Sequence, residues 1–259
     1  ANEIILEVEA GNSSEVAVSM LFSDIRAFTD ISMTMSNGEL FQWLQRYFKV
    51  MTTITDDNHG FVDQFIGDAI FAIFSSATDS VQCGVSMQAA AKRLNFDITS
   101  KGGEHLLVIG VGVHHAQVSA GFLGSTNRVT TTLVSSEVAM ASRLEGLTKH
   151  YGVGILTTGS VIHLLGLHPF MTRFMGTLQL SSGASFELYD VFDADDVALR
   201  RHKARTKERF EDAVGLRTAG EFGAAAAEWL SIAQEASDAD IVDNAAIVLA
   251  GSYGERDVY

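Results

Sequence analysis

FVDQFIGDAIFAIF, residues 61–74, reads as two apolar strands folded back on each other at Ile66-Gly67-Asp68. Phe61, Phe65, Ile70, Phe71, Ile73 and Phe74 supply aromatic and β-branched side chains in short runs, and Gly67 marks the tight bend between them. This hairpin leaves one charged residue, Asp68, at its tip and outside the core. A carboxylate placed there is either a turn-former or a metal ligand.

Working outward, Val16 to Asp24 (VAVSMLFSD) repeats the arrangement, an apolar strand that ends on an aspartate. Two strand-end carboxylates can share cations. After Asp24 the chain runs Ile25-Arg26-Ala27-Phe28-Thr29-Asp30-Ile31-Ser32, a turn entering a helix whose first backbone N–H groups lack intrahelical partners and suit a phosphate. Strand, aspartate and helix start together suggest nucleotide chemistry.

Composition narrows the field. The 259 residues are 47% hydrophobic and 19% charged, which predicts a soluble globular chain with one main domain and an appendage. A formal charge of −14 argues against a nucleic-acid binder, whose footprint is basic, and means that a polyphosphate ligand would need metal cations. Cys83 is the single cysteine, so no disulfide framework exists; in a helical pattern it reads as a small buried apolar residue in a reducing compartment. No apolar run approaches the ~18 residues of a membrane span, which gives a cytoplasmic expectation. The opening at Ala1, without an initiator methionine, fits a processed chain or a piece of a longer parent carrying an upstream sensor or membrane segment.

In chain order, residues 1–15 read as an edge strand or loose lead-in. Residues 16–192 form the main domain, with a long helix over about Asp30 to Asp56 carrying Leu40, Leu44, Tyr47, Phe48, Met51 and Ile54 as one apolar stripe. The hairpin follows, then a helix from about Thr78 to Asn95. Leu106 to His115 is a strand paired through a bend with Val118 to Leu123, with Gly110 and Gly112 suiting close backbone approach. Thr130 to Val134 is β-prone, and Ser135 or Ser136 caps a helix to about His150. Gly154 to Thr157, a short helix ended by Gly166, and strands near Arg173 to Leu180 and Phe186 to Phe192 complete it. The order is α+β, and a ferredoxin-like βαββαβ core follows from it. Residues 193–259 are a helical tail of tetratricopeptide-like hairpin type. It opens with a basic run in which Arg200, Arg201, Lys203, Arg205, Lys207 and Arg209 read as a solvated helix face, or as a contact to the acidic body or a partner.

With these pieces in place the sequence resembles the catalytic domain of class III nucleotidyl cyclases. The resemblance runs from about Val16 to Val191 and rests on LFSDIRAFT at 21–29, the hairpin at 61–74, IGVGVHHAQVSAGFLGS at 109–125 and ASRLEGLTKHYGVGIL at 141–156. It implies conversion of ATP or GTP to a 3′,5′-cyclic nucleotide and pyrophosphate, in signal transduction, by a two-metal mechanism. It implies Mg²⁺ or Mn²⁺, two per site, on Asp24, Asp68 and the carbonyl of Ile25. The N–H groups of Ala27, Phe28 and Thr29 would cradle phosphates and Arg143 would stabilise the α-phosphate. A head-to-tail homodimer with two equivalent sites follows, because the family site lies between two such domains.

On the recognition side the chain departs from the family pattern. Gln64 stands where the adenine-reading lysine is expected and Thr132 where its partner is; a glutamine amide offers donor and acceptor together, so both purines stay open, with ATP favoured by the family. Ala139 replaces the asparagine that orients the ribose. No lysine lies near Ser181 to Gly183, where a triphosphate ligand is expected, and Arg173 is the candidate substitute. Ser135 and Ser136 replace a glycine and an aspartate. A degenerate, dimerising regulatory module that binds nucleotide or metal is therefore the alternative, while a diguanylate cyclase or polymerase-like palm lacks a GGDEF-type turn. The bland alternatives are Arg143 paired with Glu145 or another carboxylate on the helix surface, Gln64 as a solvated strand residue, and His114 and His115 as structural histidines rather than ligands.

Overall fold

The computed structural model describes residues 13–100, 106–125, 128–167 and 169–252, apart from the side chains of residues 13, 96–100, 122–132 and 134. Strand β1 (Ser13–Ile25) leads through α1 (Phe28–Thr34) and α2 (Asn37–Asp57) to the hairpin β2 (Phe61–Ile66) and β3 (Ala69–Phe74). Helix α3 (Ala77–Ser100), β4 (Ile109–Ser125), β5 (Arg128–Val134), α4 (Ser136–Tyr151), β6 (Ile155–Thr158), α5 (Gly159–Leu165), β7 (Thr172–Gln179) and β8 (Ser185–Val191) follow. The tail is α6 (Val197–Thr218), α7 (Phe222–Ser237) and α8 (Asn244–Gly251). No helix among the described residues is long and apolar enough to cross a membrane.

The sheet has eight strands in the order β2-β3-β1-β4-β6-β8-β7, with β5 paired to β4. Its β4-β1-β3-β2 part, closed by α1–α2 and by α3, is the expected βαββαβ core, and the α+β class holds. Alternation along β1 sorts its side chains. Leu21 and Ile25 join the core under α2 and α3, with Tyr47, Met51, Val81 and Met87. Val18, Met20 and Phe22 face the other way, packing on Phe71, Ile73, Val118 and Ala141. A third apolar cluster lies between α4, β7–β8 and the tail, built on Leu144, Met175, Leu188, Phe210, Trp229, Ala245 and Leu249.

Several expectations change. The helix expected over residues 30–56 is two helices, because Ser36 and Glu39 form a capping box: Ser36 Oγ accepts from the Glu39 N–H while the Glu39 carboxylate takes the Ser36 N–H. The bend expected after His115 is absent. Strand β4 is continuous over 17 residues because β1 pairs with it from Ser13↔Gly121 to Ile25↔Ile109. β1 thus already begins at Ser13, while residues 1–12 of the expected lead-in lie outside the described residues. At the hairpin, Phe65 is half-exposed and its ring lies tilted at 53° against that of Phe48, 4.6 Å away.

Arg173 departs furthest from expectation, and the basic run in part takes the second of its expected readings, a contact to the acidic body. Arg173 is fully buried, its guanidinium bonded to both Asp243 oxygens at 2.7 and 2.8 Å and to Asp190 at 3.0 Å. Lys203 is buried beside it, on Asp190 at 2.9 Å and Asp195 at 2.6 Å. Arg209 reaches across to Glu228 and Glu235 on α7. The run is therefore partly a docking face for the sheet and its own tail, and Arg173 is out of reach of any triphosphate. Burial by itself would raise the Asp243 carboxyl, but the hydrogen bonds and charge of Arg173 more than offset that and hold it below the usual carboxylate range.

Removing one member of such a network leaves an uncompensated buried charge, at a cost of about 3–5 kcal/mol. Asp243→Ala should therefore lower Tm by roughly 10 °C, at ~2–4 °C per kcal/mol for a chain of this size, as followed by circular dichroism. A drop of under about 2 °C would show that the tail is not anchored through Arg173.

Candidate active site

β1 and the hairpin meet at one end of the sheet. The β1–β3 register, ending at Ser23↔Ile70, carries the Gly67–Asp68 turn alongside the end of β1, with Gly67 at φ 65°. A residue with a Cβ disfavours that left-handed conformation, which accounts for the glycine. Asp24 Oδ1 accepts the Ile25 N–H at 2.8 Å. The two aspartates are in contact. Burial, then a hydrogen bond with Asp24, then its like charge push the Asp68 carboxyl up to about 7, partly offset by the N–H groups of Asp68 and Ile25. Tyr47 lies beneath; its hydroxyl is 3.5 Å from Ser23 Oγ, and burial raises its pKa far above that of a free phenol.

Two carboxylates pressed together are a hard-oxygen donor set that lacks only positive charge. No group of three or more His, Cys, Asp and Glu side chains that could hold a metal occurs among the described residues. A pair of carboxylates with a neighbouring backbone carbonyl suits Mg²⁺-like cations, which take one or two carboxylates and complete their shell with water and phosphate oxygens. The residues present thus fit divalent cations.

The following turn is strained. Ala27 is the N-cap of α1 at φ 52° and ψ 31°, a left-handed conformation that costs a residue with a Cβ roughly 1–2 kcal/mol. No side chain caps α1, so the first N–H groups of the helix, those of Phe28 and Thr29 among them, are left uncapped by side chains.

The other half of the expected constellation lies elsewhere. Ala139 and Arg143, one turn apart on α4, line a cavity of about 510 Å³ together with Ser136, Ser182 and Phe186. Ser182, in the β7–β8 turn, occupies the region where a lysine was expected, on the wall facing Arg143. Neither Asp24 nor Asp68 lines this cavity, so a single chain does not gather the whole set. Gln64 is exposed on β2, beside Asp63. The backbone of Thr132 lies on β5 opposite Gly121, while its side chain lies outside the described residues.

Glu145 does not pair with Arg143; it takes Arg26, with Arg26 Nη1 3.1 Å from Glu145 Oε1. That pair, beside Asp24, had no local signal, since its members are more than a hundred positions apart in sequence. Burial raises the Glu145 carboxyl, against the pull of Arg26, and Asp24 adds to the rise. His114 is buried between Thr158 and Glu137, at 2.9 and 2.8 Å, and His115 meets Ser19 at 2.9 Å, so both have structural partners. Cys83 is buried, as expected.

Residues 11–190 match the family model described as the adenylate and guanylate cyclase catalytic domain. The chain belongs to this cyclase family. An adenylate cyclase of Anabaena cylindrica is 38% identical over 166 residues, 62% of this chain and 33% of that protein. Among solved structures, a bacterial light-regulated adenylyl cyclase superposes with a TM-score of 0.67 at 27% identity, over 74% of this chain and 56% of the other. The adenylyl cyclase CyaB from P. aeruginosa gives 0.64 at 26% identity, over 70% of this chain and 96% of that one. The cyclase chain thus spans about a third of the length of the Anabaena relative.

The Asp24–Asp68 contact has a pH signature. A carboxyl whose folded pKa is raised stabilises the fold fully below its ordinary pKa of about 4, and that contribution is lost as pH climbs through the folded value. In cation-free protein, Tm of the wild type relative to Asp68→Asn should therefore fall between pH of about 4 and about 7. A difference that stays flat across this window would mean that the two carboxylates do not interact.

Proposed function

We propose that this cyclase domain converts ATP, or GTP, to the 3′,5′-cyclic nucleotide and pyrophosphate, in a head-to-tail homodimer in which each site draws on both chains. The observation that carries the reading is the contact between Asp24 and Asp68, two carboxylates held together at the end of the sheet at a cost that a proton or a bound cation relieves. Asp24, Asp68 and the Ile25 carbonyl would hold Mg²⁺ or Mn²⁺, two per site. When bound, such cations neutralise the triphosphate and acidify the ribose 3′-hydroxyl.

The chain's own groups do the positioning. The N–H groups of Ala27, Phe28 and Thr29 bind phosphate oxygens at the start of α1. The 3′-oxygen bonds to the α-phosphorus as the bond to the pyrophosphate oxygen breaks, and the hydroxyl proton leaves to solvent. Arg143 meets the charge that builds on the α-phosphate, where a guanidinium fork matches phosphate oxygens. Gln64 and Thr132 take the purine edge; the Gln64 amide can turn to present either a donor or an acceptor, so ATP is favoured only by the names of the relatives. Separation of the aspartates from the Ala139–Arg143 cavity in one chain supports the dimer, since a second copy brings the missing wall.

A second reading, a dimerising nucleotide- or metal-binding regulatory module, is favoured by Ala139 and Ser182. Both place small side chains where an orienting amide and a cation would act, and losing one such group costs about 10²–10³ in rate.

The test is cyclic nucleotide formation by purified protein given ATP or GTP with Mn²⁺ or Mg²⁺, over a range of protein concentrations. Product should rise more steeply than linearly with protein, and Asp24→Ala and Asp68→Ala should each remove it. Ala139→Asn should raise the rate, by roughly tenfold or more. Product that survives both aspartate variants would sink the metal assignment, whereas bound nucleotide without product would favour the regulatory module.

A further inference from the structure

Arg26 follows Asp24 by two residues, and Glu145 follows Arg143 by two. The structure joins these positions. Arg26 Nη1 lies 3.1 Å from Glu145 Oε1, Arg26 Nη2 donates to Thr148 Oγ1, and that hydroxyl donates to the Glu145 carbonyl at 2.5 Å. Both side chains of the ion pair are largely buried, at 20% and 11% exposure, and the Arg26 N–H donates to the Val108 carbonyl at 2.7 Å. The Arg26–Glu145 contact is a charge pair without hydrogen-bond geometry, so the guanidinium is oriented by its bond to Thr148 Oγ1 and drawn by charge to Glu145 of the same helix turn.

The strand beneath is shaped for this contact. Gly110 is the β4 partner of Asp24, and a Cβ built on it would overlap Arg26 Nη2, Glu145 Oε1 and Thr148 Oγ1 together. Gly112, two residues on, would meet the Ala141 carbonyl and the Glu145 N–H in the same way. The absence of side chains at 110 and 112 thus lets α4 sit on β4, and at Gly110 the space is filled by the Arg26–Glu145–Thr148 contact. Asp24 lies within electrostatic reach of both members of the pair.

We infer that Arg26, Glu145 and Thr148 form a positioning clamp that fixes the Asp24–Ile25 strand end against α4 and so presets the cation ligands. This rests on the proposed role of Asp24 and Ile25 as ligands. Groups that orient metal ligands from behind typically contribute about 10–100-fold in metal affinity. Charge alone predicts a different pattern from position: removing the Arg26 cation would tighten cation binding, and removing the Glu145 anion would weaken it.

Mn²⁺ affinity of the full chain without nucleotide, measured by electron paramagnetic resonance, separates the two. Arg26→Gln, Glu145→Gln and Gly110→Ala should each weaken Mn²⁺ binding by about tenfold, with Tm confirming that each variant folds. The Arg26→Gln/Glu145→Gln double variant should lose no more than the worse single, since both break one contact. Tighter binding by Arg26→Gln, or unchanged affinity in Arg26→Gln and Glu145→Gln, would overturn the clamp, and the latter comparison stands even where Gly110→Ala does not fold. Wild-type Mn²⁺ binding that Asp24→Ala leaves intact would instead overturn the ligand assignment beneath it, and the clamp with it.

Discussion

The ladder between β1 and β4 sets where everything else can go. It runs in unbroken register along the whole 13 residues of β1, and it places Asp24 opposite Gly110. A slip of one residue would send Val18, Met20 and Phe22 into the core under α2 and α3 and would turn Leu21 and Ile25 out of it. Two buried faces with different shapes make that slip costly. The same register brings α4 over the glycines, and α4 carries Arg143 on its cavity side and Glu145 on its sheet side. One pairing therefore sets both halves of the proposed site.

The tail enters the same architecture from below. Its apolar residues share a cluster with Leu144, Leu147 and Tyr151 of α4, so the helix that bears Arg143 is packed between sheet and tail. Hydrophobic contact alone would leave the tail free to settle in several ways. The Arg173–Asp243 bidentate pair and Lys203 between Asp190 and Asp195 admit one arrangement, because any other leaves buried charge unpaired. Desolvation cancels much of the attraction in such a network, so its effect here is on specificity of docking more than on net stability.

Local sequence carried a good deal of this. The hairpin at 61–74, the aspartate at the end of each strand, the helix cap at Ser135 and the glycine stop at Gly166 are short-range features, and each was legible from neighbouring residues. Ser36 and Glu39 are equally local, but the apolar stripe on either side of their capping box keeps one period and hides the break. The fates of Arg173, Lys203 and Glu145 were a different matter. A charged residue in a strand or helix reads as solvated until the fold supplies a partner, and these partners lie 70, 13 and 119 positions away. The left-handed backbone at Ala27 was illegible for the opposite reason, since nothing about alanine announces it.

The departures from the family pattern and the clamp fall on structurally different ground. Ala139 is exposed and Ser182 sits in a turn, so a change at either costs the fold little and falls wholly on whatever occupies the cavity. Arg26, Glu145 and Gly110 interlock, and a change at any one displaces the others. A chain that had lost all use for its strand-end aspartates would gain stability by separating them, since two touching carboxylates are a standing penalty near neutral pH. Such a chain would also have no need of a buried ion pair behind them, which well-packed apolar side chains often match or exceed in stability. The structure instead keeps the costly pair of aspartates and the costly pair that braces one of them. Both costs fall on the half that would hold the cation, and the divergence falls on the half that would read the nucleotide.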